Sequence, residues 1–345
     1  AYFKDPPLNK WLTELRVNAH YISLIFFPHP SQRVFDYDLQ LSESLFKPIT
    51  TLLSLIGFIG IIGLISYALK RNKLIAYCLI WYCANLVIES LYVRFELICE
   101  YRTYLPSMLL PVIIFQFIKN KKTIILTTGI LALIFSTWTY QRNHIWSDDL
   151  LFWQDNVQKS PNKSRPLNNL GLTYAQREKH DIAIPLFRKA INLDPQHGSA
   201  YYNLGNSFLK TNDIDRAIRS YKIAIKLKPS NFEAHSNLAN AYNVKHNFKE
   251  ALKHYQIVLK NQPYHKFCHN NISSIYRRLN KQSLAKEHIS IALELDPLFV
   301  NANINMGMLL LSQGQKTKSI THFQKALDVE PKNLFAKQKL EAASK

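Results

Sequence analysis

Two hydrophobic patterns divide the chain. Over residues 49–140 the apolar positions run together: 49–69 carries no charge, and 74–88, 104–118 and 123–140 follow it. The first run is long enough to cross a bilayer as a helix, and the other three reach the required length of about 20 residues with their flanks. Four spanning helices are predicted. Ahead of them, residues 11–27 are apolar but interrupted by Glu14, Arg16 and His20. That mixture fits a helix lying in the interface or packed against membrane helices. Beyond residue 160 the long runs give way to short amphipathic stretches punctuated by proline.

Those prolines are Pro161, Pro195, Pro229, Pro263, Pro297 and Pro331, spaced 34 residues apart every time. Other positions keep the same step. Leu170-Gly171, Leu204-Gly205, Leu238-Ala239, Ile272-Ser273 and Met306-Gly307 mark a close-contact site on a first helix. Ala183, Ala217, Ala251, Ala285 and Ser319 mark a small site on a second, and Phe187, Tyr221, Tyr255, Ile289 and Phe323 fill the space between. A 34-residue helix–turn–helix period is that of the tetratricopeptide repeat. The expected fold is therefore all-α: a transmembrane helical bundle of about four spans followed by a tetratricopeptide-repeat α-solenoid. The expected division is an interfacial or extracytoplasmic segment at 1–48, the membrane region at 49–140, a junction with a half-repeat at 141–163, five repeats at 164–331, and a capping helix at 332–345.

Charge sets the orientation. The connectors Lys70-Arg71-Asn72-Lys73 and Lys119-Asn120-Lys121-Lys122 are short and basic, which places both in the cytoplasm and the repeats on the opposite side. The net charge of +19 (43 Lys and Arg against 24 Asp and Glu) lies largely in the array, which holds 28 basic and 13 acidic residues from Pro161 onward. No run reaches five like charges and no aromatic–basic recognition motif is present, so the reading is a solvated basic face attracted to anionic headgroups or an acidic partner, not a nucleic-acid binder.

One first-helix position is Asn in all five repeats: Asn169, Asn203, Asn237, Asn271 and Asn305. An amide both donates and accepts, so a ladder of them facing the inner wall suits the backbone of an extended peptide, with Tyr201, Tyr202, His235 and His269 nearby. The same column also occurs as ordinary repeat consensus. Other chemistry is sparse. Nine glycines nearly exclude Gly-rich phosphate loops, and four cysteines make no disulfide framework. His265, Cys268 and His269 invite a zinc reading, but Cys268 stands at a packing position shared with Ala200, Ala234 and Ala302, and a fourth ligand is missing. No metal or cofactor is expected. Gly57, Gly60 and Gly63 form a small-residue stripe suited to helix packing in a membrane. The loop 89–106 places Glu89, Arg94, Glu96, Glu100 and Arg102 at the membrane surface, where charges are paired or functional. A salt-bridged clamp and phosphate binding by Arg102 are the two readings.

Glu100-Tyr101-Arg102-Thr103-Tyr104-Leu105-Pro106-Ser107-Met108 resembles a segment of the transmembrane and tetratricopeptide-repeat proteins, more closely in its bacterial variants. Leu12-Thr13-Glu14-Leu15-Arg16-Val17, Phe35-Asp36-Tyr37-Asp38 and the junction Arg142-Asn143, Trp146, Asp149, Trp153 and Lys159-Ser160-Pro161 resemble neighbouring motifs, with Tyr101 replacing the usual His. The resemblance implies a GT-C glycosyltransferase that transfers a sugar from a polyprenyl-phosphate donor to Ser or Thr outside the cytoplasm. It implies donor contacts at Glu96, Glu100, Arg102 and Tyr104, and an acceptor polypeptide held by the Asn ladder and Tyr202. Nothing in the chain matches the family's first external loop, which carries the catalytic acid, so no catalytic residue is named. The chain starts at Ala1 in mid-pattern, and the expectation is the C-terminal part of a longer membrane protein, in a bacterial inner membrane with periplasmic repeats, or with lumenal repeats if eukaryotic. The alternative is a membrane-anchored repeat scaffold without catalysis, partnered by lipids and other membrane subunits.

Overall fold

A computed structural model describes residues 7–26, 29, 40–92, 108–118 and 120–344. Among these, all regular structure is helical, and the chain divides into two units, residues 1–166 and 167–345.

In the first unit, α1 (Pro7–Phe26) packs against α2 (Thr50–Arg71), while α3 (Lys73–Tyr92) touches both α2 and the short α4 (Leu110–Phe117). Val17, Tyr21 and Leu24 of α1 meet Tyr82 of α3 and Leu110 of α4 in one buried cluster. The interrupted apolar stretch at 11–27 therefore forms a packed helix. Thr13 and Ser42 tie the α1–α2 connection: the Ser42 N–H donates to Thr13 Oγ1 at 2.9 Å, and Ser42 Oγ meets Thr51 Oγ1 at 2.9 Å. α5 (Lys121–Trp146) follows, then α6 (Asp149–Lys159), whose N-cap Asp148 accepts from the Leu150 and Leu151 amides.

Two of these helices, α2 and α5, are long and apolar enough to cross a membrane, with mean hydropathy 2.3 and 1.5 over their best 18 residues. Both are almost bare: Leu53, Ile59 and Leu64 of α2 and Ile125, Leu126 and Leu133 of α5 are each more than half exposed. Of the other two expected spans, residues 74–88 fall in the 20-residue α3, and 104–118 is described only from Met108, where α4 has eight residues. No side chain and no other helix comes within 4 Å of where a Cβ at Gly57, Gly60 or Gly63 would sit, so among the described residues no helix is in close contact with the small-residue stripe.

The second half is a succession of helix pairs: α7 (Ser164–Gln176) with α8 (His180–Leu193), α9 (Gly198–Lys210) with α10 (Ile214–Leu227), α11 (Phe232–Val244) with α12 (Phe248–Asn261), α13 (Lys266–Arg278) with α14 (Gln282–Leu295), and α15 (Val300–Ser312) with α16 (Lys316–Val329). The first helix of each pair is termed A, the second B. α17 (Leu334–Ser344), capped by Asn333, packs Ala336 against Ala326, Val300 and Ile304 and closes the stack.

The turn within each pair is built the same way. Glu178, Asn212, His246, Asn280 and Gly314, again 34 apart, all hold left-handed backbone with φ of 57–75°. The next amide donates back to an A-helix carbonyl, as Lys179 does to Tyr174, Asp213 to Phe208, Asn247 to Tyr242, Lys281 to Tyr276 and Gln315 to Leu310. These bonds satisfy carbonyls at the helix end that lack an intrahelical partner. Packing within a pair follows from the small residues. A Cβ at Gly205 would lie 2.6 Å from the Tyr221 ring, and Gly171 and Gly307 stand equally close to Phe187 and Phe323. Phe187, Tyr221, Tyr255, Ile289 and Phe323 are fully buried.

Candidate functional site

Consecutive A helices α9, α11, α13 and α15 touch one another, forming a continuous wall along the array. Stacked repeats curve and present such a wall as an extended binding surface. The five asparagines lie on it, and their amides are largely engaged between repeats. Asn203 Nδ2 donates to Asn168 Oδ1 of the preceding A helix at 3.0 Å. Asn237 Nδ2 donates to Asn206 Oδ1 at 2.9 Å and to the Tyr202 hydroxyl at 3.3 Å. Asn271 Nδ2 reaches Asn240 Oδ1 at 2.9 Å, and Asn305 Nδ2 reaches Asn270 Oδ1 at 2.8 Å. Asn169 and Asn271 also accept from their neighbours Asn168 and Asn270.

Four of the five, all but Asn169, are thus clips, each fastening one A helix to the one before. The B helix joins in twice: the Tyr221 hydroxyl donates to Asn206 Oδ1 at 2.7 Å, and the Tyr255 hydroxyl donates to Asn240 Oδ1. Burial pushes both phenols well above their ordinary range. Asn168, Asn206, Asn240 and Asn270 were not singled out in sequence. They are the acceptors, and they occupy two different register positions, so no single column reveals them. Asn169, Asn237, Asn271 and Asn305 remain half-buried at the wall, while Asn203 is 8% exposed.

His235 and His269 prove to be buried members of A–B pairs. His235 Nδ1 lies 2.9 Å from His254 Nδ1, and His269 Nδ1 lies 2.9 Å from His288 Nδ1. Tyr201 and Tyr202 are half-buried, and the Tyr202 ring tilts against Tyr221 at 6.1 Å. His265 caps α13 by accepting the Cys268 amide at 3.1 Å, and Cys268 is buried. Among the described residues no group of three His, Cys, Asp or Glu side chains is placed to hold a metal.

The sequence-predicted donor-site residues Glu96, Glu100, Arg102 and Tyr104 lie outside the described residues. The first unit does contain a cleft of about 630 Å³ between α1, α2 and α3. Its walls include Leu53, Gly57, Phe58 and Ile61, with Arg16, Asn18 and Tyr82 as polar lining. Arg16 Nη1 donates to the Gln40 carbonyl, and the buried Tyr82 hydroxyl has no hydrogen-bond partner among the described residues.

Family comparison resolves the array. A TPR repeat model matches residues 171–212 and 205–243, and a tetratricopeptide repeat model matches 300–333. These segments are tetratricopeptide repeats. The unmatched α13–α14 pair between them keeps the same turn geometry and the same inter-repeat clip. Among solved structures the chain is similar to Pseudomonas aeruginosa pilF, at 12% identity and TM-score 0.50, covering 59% of this chain and 91% of that one. It is also similar to TTC0263, a thermophilic TPR protein of Thermus thermophilus (22% identity, TM-score 0.44, 52% and 98% covered), and to YrrB, described as a TPR protein with an unusual peptide-binding site (19%, 0.45, 54% and 96%). At these identities the likeness concerns the fold alone. No curated protein matches the chain.

Proposed function

We propose that the chain is a membrane-anchored interaction protein whose tetratricopeptide-repeat wall holds an extended polypeptide. The observation that carries this reading is the strip of half-buried amides along the A helices. Asn237 and Asn305 each spend their NH2 group on the preceding repeat and show no partner on their carbonyl oxygen among the described residues. Half-buried acceptors held in a fixed row favour backbone N–H donors, which every peptide supplies. Selection of displayed random peptides on the full chain tests it. Selected peptides are expected to bind Ser274→Tyr, which blocks the wall at the register of Asn206 and Asn240, at least about tenfold more weakly (1.4 kcal/mol). Equal binding by this variant refutes the site.

The anchoring part of the proposal rests on the bare apolar surfaces of α2 and α5, long and apolar enough to be covered by lipid or other membrane subunits. With the connector at Lys70–Lys73 cytoplasmic, the repeats lie across the membrane, in the periplasm for a bacterial protein. Cysteine accessibility in intact cells reads this directly: probes in the 70–73 connector and in the array must label from opposite sides.

A second reading makes the chain the C-terminal part of a polyprenyl-phosphate-sugar-dependent protein O-glycosyltransferase. The motif at 100–108 suggests it, and the α1–α3 cleft favours it, since apolar walls beside Arg16 suit a lipid chain with an anionic head. Sugar transfer from a polyprenyl-phosphate donor to a Ser- or Thr-containing peptide, lost in Arg102→Ala, supports this reading. No transfer by the full-length protein rejects it.

A further inference from the structure

Three successive repeats contain the same relay from turn to A helix to B helix. In the fourth repeat, His269 Nε2 donates to the Pro263 carbonyl at 2.9 Å, and its Nδ1 meets His288 Nδ1 at 2.9 Å. In the third, His235 Nδ1 meets His254 Nδ1 in the same way, with the Pro229 carbonyl close to the ring. In the fifth, Asn303 Nδ2 donates to the Pro297 carbonyl at 2.9 Å, and its Oδ1 meets His322 Nδ1 at 2.9 Å. The donors and acceptors then follow without choice. With Nε2–H committed to the Pro263 carbonyl, the Nδ1 of His269 accepts and His288 donates from Nδ1; His322 donates to Asn303 Oδ1, and the matching His235–His254 pair takes the same arrangement. Rings stack over the outer histidines, Tyr242 on His254 at 6.0 Å and Tyr276 near His288 at 5.7 Å. His235, His269 and Asn303 are at most 6% exposed.

We propose that these three relays form an acid-sensitive latch confined to repeats three to five. The first added proton goes to the outer ring's Nε2, keeps its Nδ1 bond and sets a cation in a half-buried place, as it does at His322 beside Asn303; a further proton, on Nδ1 of His235 or His269, turns that acceptor into a donor, places two cations 2.9 Å apart and breaks the A–B contact. The surrounding charges do not rescue it. His254 faces His235 and Tyr242 of α11, Lys222 of α10, and Glu250 and Lys253 of its own helix. His288 faces His269 and Tyr276 of α13 and Glu287 of its own helix, while His322 faces Asn303 and Lys325. Burial, as the largest cause, lowers all four histidines His235, His254, His288 and His322, His254 to about 4. A lowered folded-state value means the unfolded chain takes up protons first. The relays therefore stabilise fully above the ordinary histidine range, and that stabilisation drains away as pH falls from about 6.5 toward 4.

The first two repeats are an internal control, because Leu167 with Leu186 and Tyr201 with Ser220 stand where the relays stand. Hydrogen exchange of the full chain, with rates corrected for intrinsic pH dependence, reads the latch segment by segment. Between pH 7.5 and 5.0, residues 232–329 are expected to lose protection by about tenfold or more, and residues 167–227 to change little. In His254→Gln/His288→Gln/His322→Gln, which keeps a side-chain donor at each place, the difference between the two pH values shrinks to the part that His235 still contributes in the third repeat. The single His322→Gln variant, expected to abolish it in the fifth repeat alone, serves if the triple variant does not fold. Equal loss across all five repeats, or an unchanged acid response in these variants, overturns the latch.

Discussion

Replacing Asn237 distinguishes a clip between repeats from a residue that only faces a ligand. Its Nδ2 makes two donated bonds, at 2.9 Å to Asn206 Oδ1 and at 3.3 Å to the Tyr202 hydroxyl. A side-chain hydrogen bond contributes about 0.5–1.5 kcal/mol net, and the longer one belongs at the low end. Asn206 Oδ1 keeps the Tyr221 hydroxyl at 2.7 Å after the change, and the half-buried Tyr202 hydroxyl can turn to water, so neither partner is stranded. Asn237→Ala should therefore cost about 1–1.5 kcal/mol, a drop in the array's melting temperature of roughly 2–6 °C. Asn237→Asp is the sharper variant. It removes the donors and sets a carboxylate oxygen against Asn206 Oδ1, two acceptors in contact in a half-buried place, and should cost about 2–3 kcal/mol. Thermal unfolding of the full chain at neutral pH, followed by far-ultraviolet circular dichroism without ligand, measures both. An alanine variant within about 0.3 kcal/mol of the parent, or an aspartate variant as stable as the alanine one, contradicts the clip.

Three further outcomes follow from the same geometry. Gly205→Ala drives a Cβ to 2.6 Å from the fully buried Tyr221 ring; overpacking of about 1–3 kcal/mol outweighs the helix propensity gained, about 1 kcal/mol, so the variant should melt lower, and a rise in melting temperature would show that the ring moves freely. Glu178→Gly relieves left-handed backbone at φ 61° and loses only an exposed 3.9 Å contact with Lys210, so it should stabilise by about 0.5–1 kcal/mol in the same assay; destabilisation would refute the turn argument. Ile59→Arg puts a charge at the centre of α2 and should cost about 2.5–3.5 kcal/mol of membrane insertion, read as loss of the chain from the membrane fraction or inverted topology; normal insertion would argue that α2 does not span.

The repeat architecture was legible in sequence because its causes are local. Pro spacing ends each B helix, and Gly or Ala under an aromatic residue fixes each A–B contact; both recur with the period of the structure itself. The left-handed turn carries no single residue signature: Gly314, Asn212, Asn280 and His246 are types that tolerate that backbone, whereas Glu178 reaches it without such a preference. The Asn ladder stood out as a column, but its use did not. The acceptors alternate between the register of Asn168 and Asn270 and that of Asn206 and Asn240, so the pairing emerges only when A helices are laid side by side. The histidine relays were hidden for a related reason. His235 and His254 are 19 residues apart, on different helices, and nothing in a single helical face links them. In the first unit, hydropathy marked α2 and α5 plainly and left α1 between an interfacial and a packed helix; that Val17 and Tyr21 would be the residues buried against α3 was not legible.

A photo-crosslink tests the central claim, that the A-helix wall holds the polypeptide. Benzoylphenylalanine is placed in the full chain either at Tyr202, an aromatic position on the wall, or at Lys226, on the exposed side of a B helix, and each protein is irradiated with a peptide selected on the unmodified chain. The account predicts adducts from position 202 and none from 226. Adducts from 226 with none from 202 would contradict it.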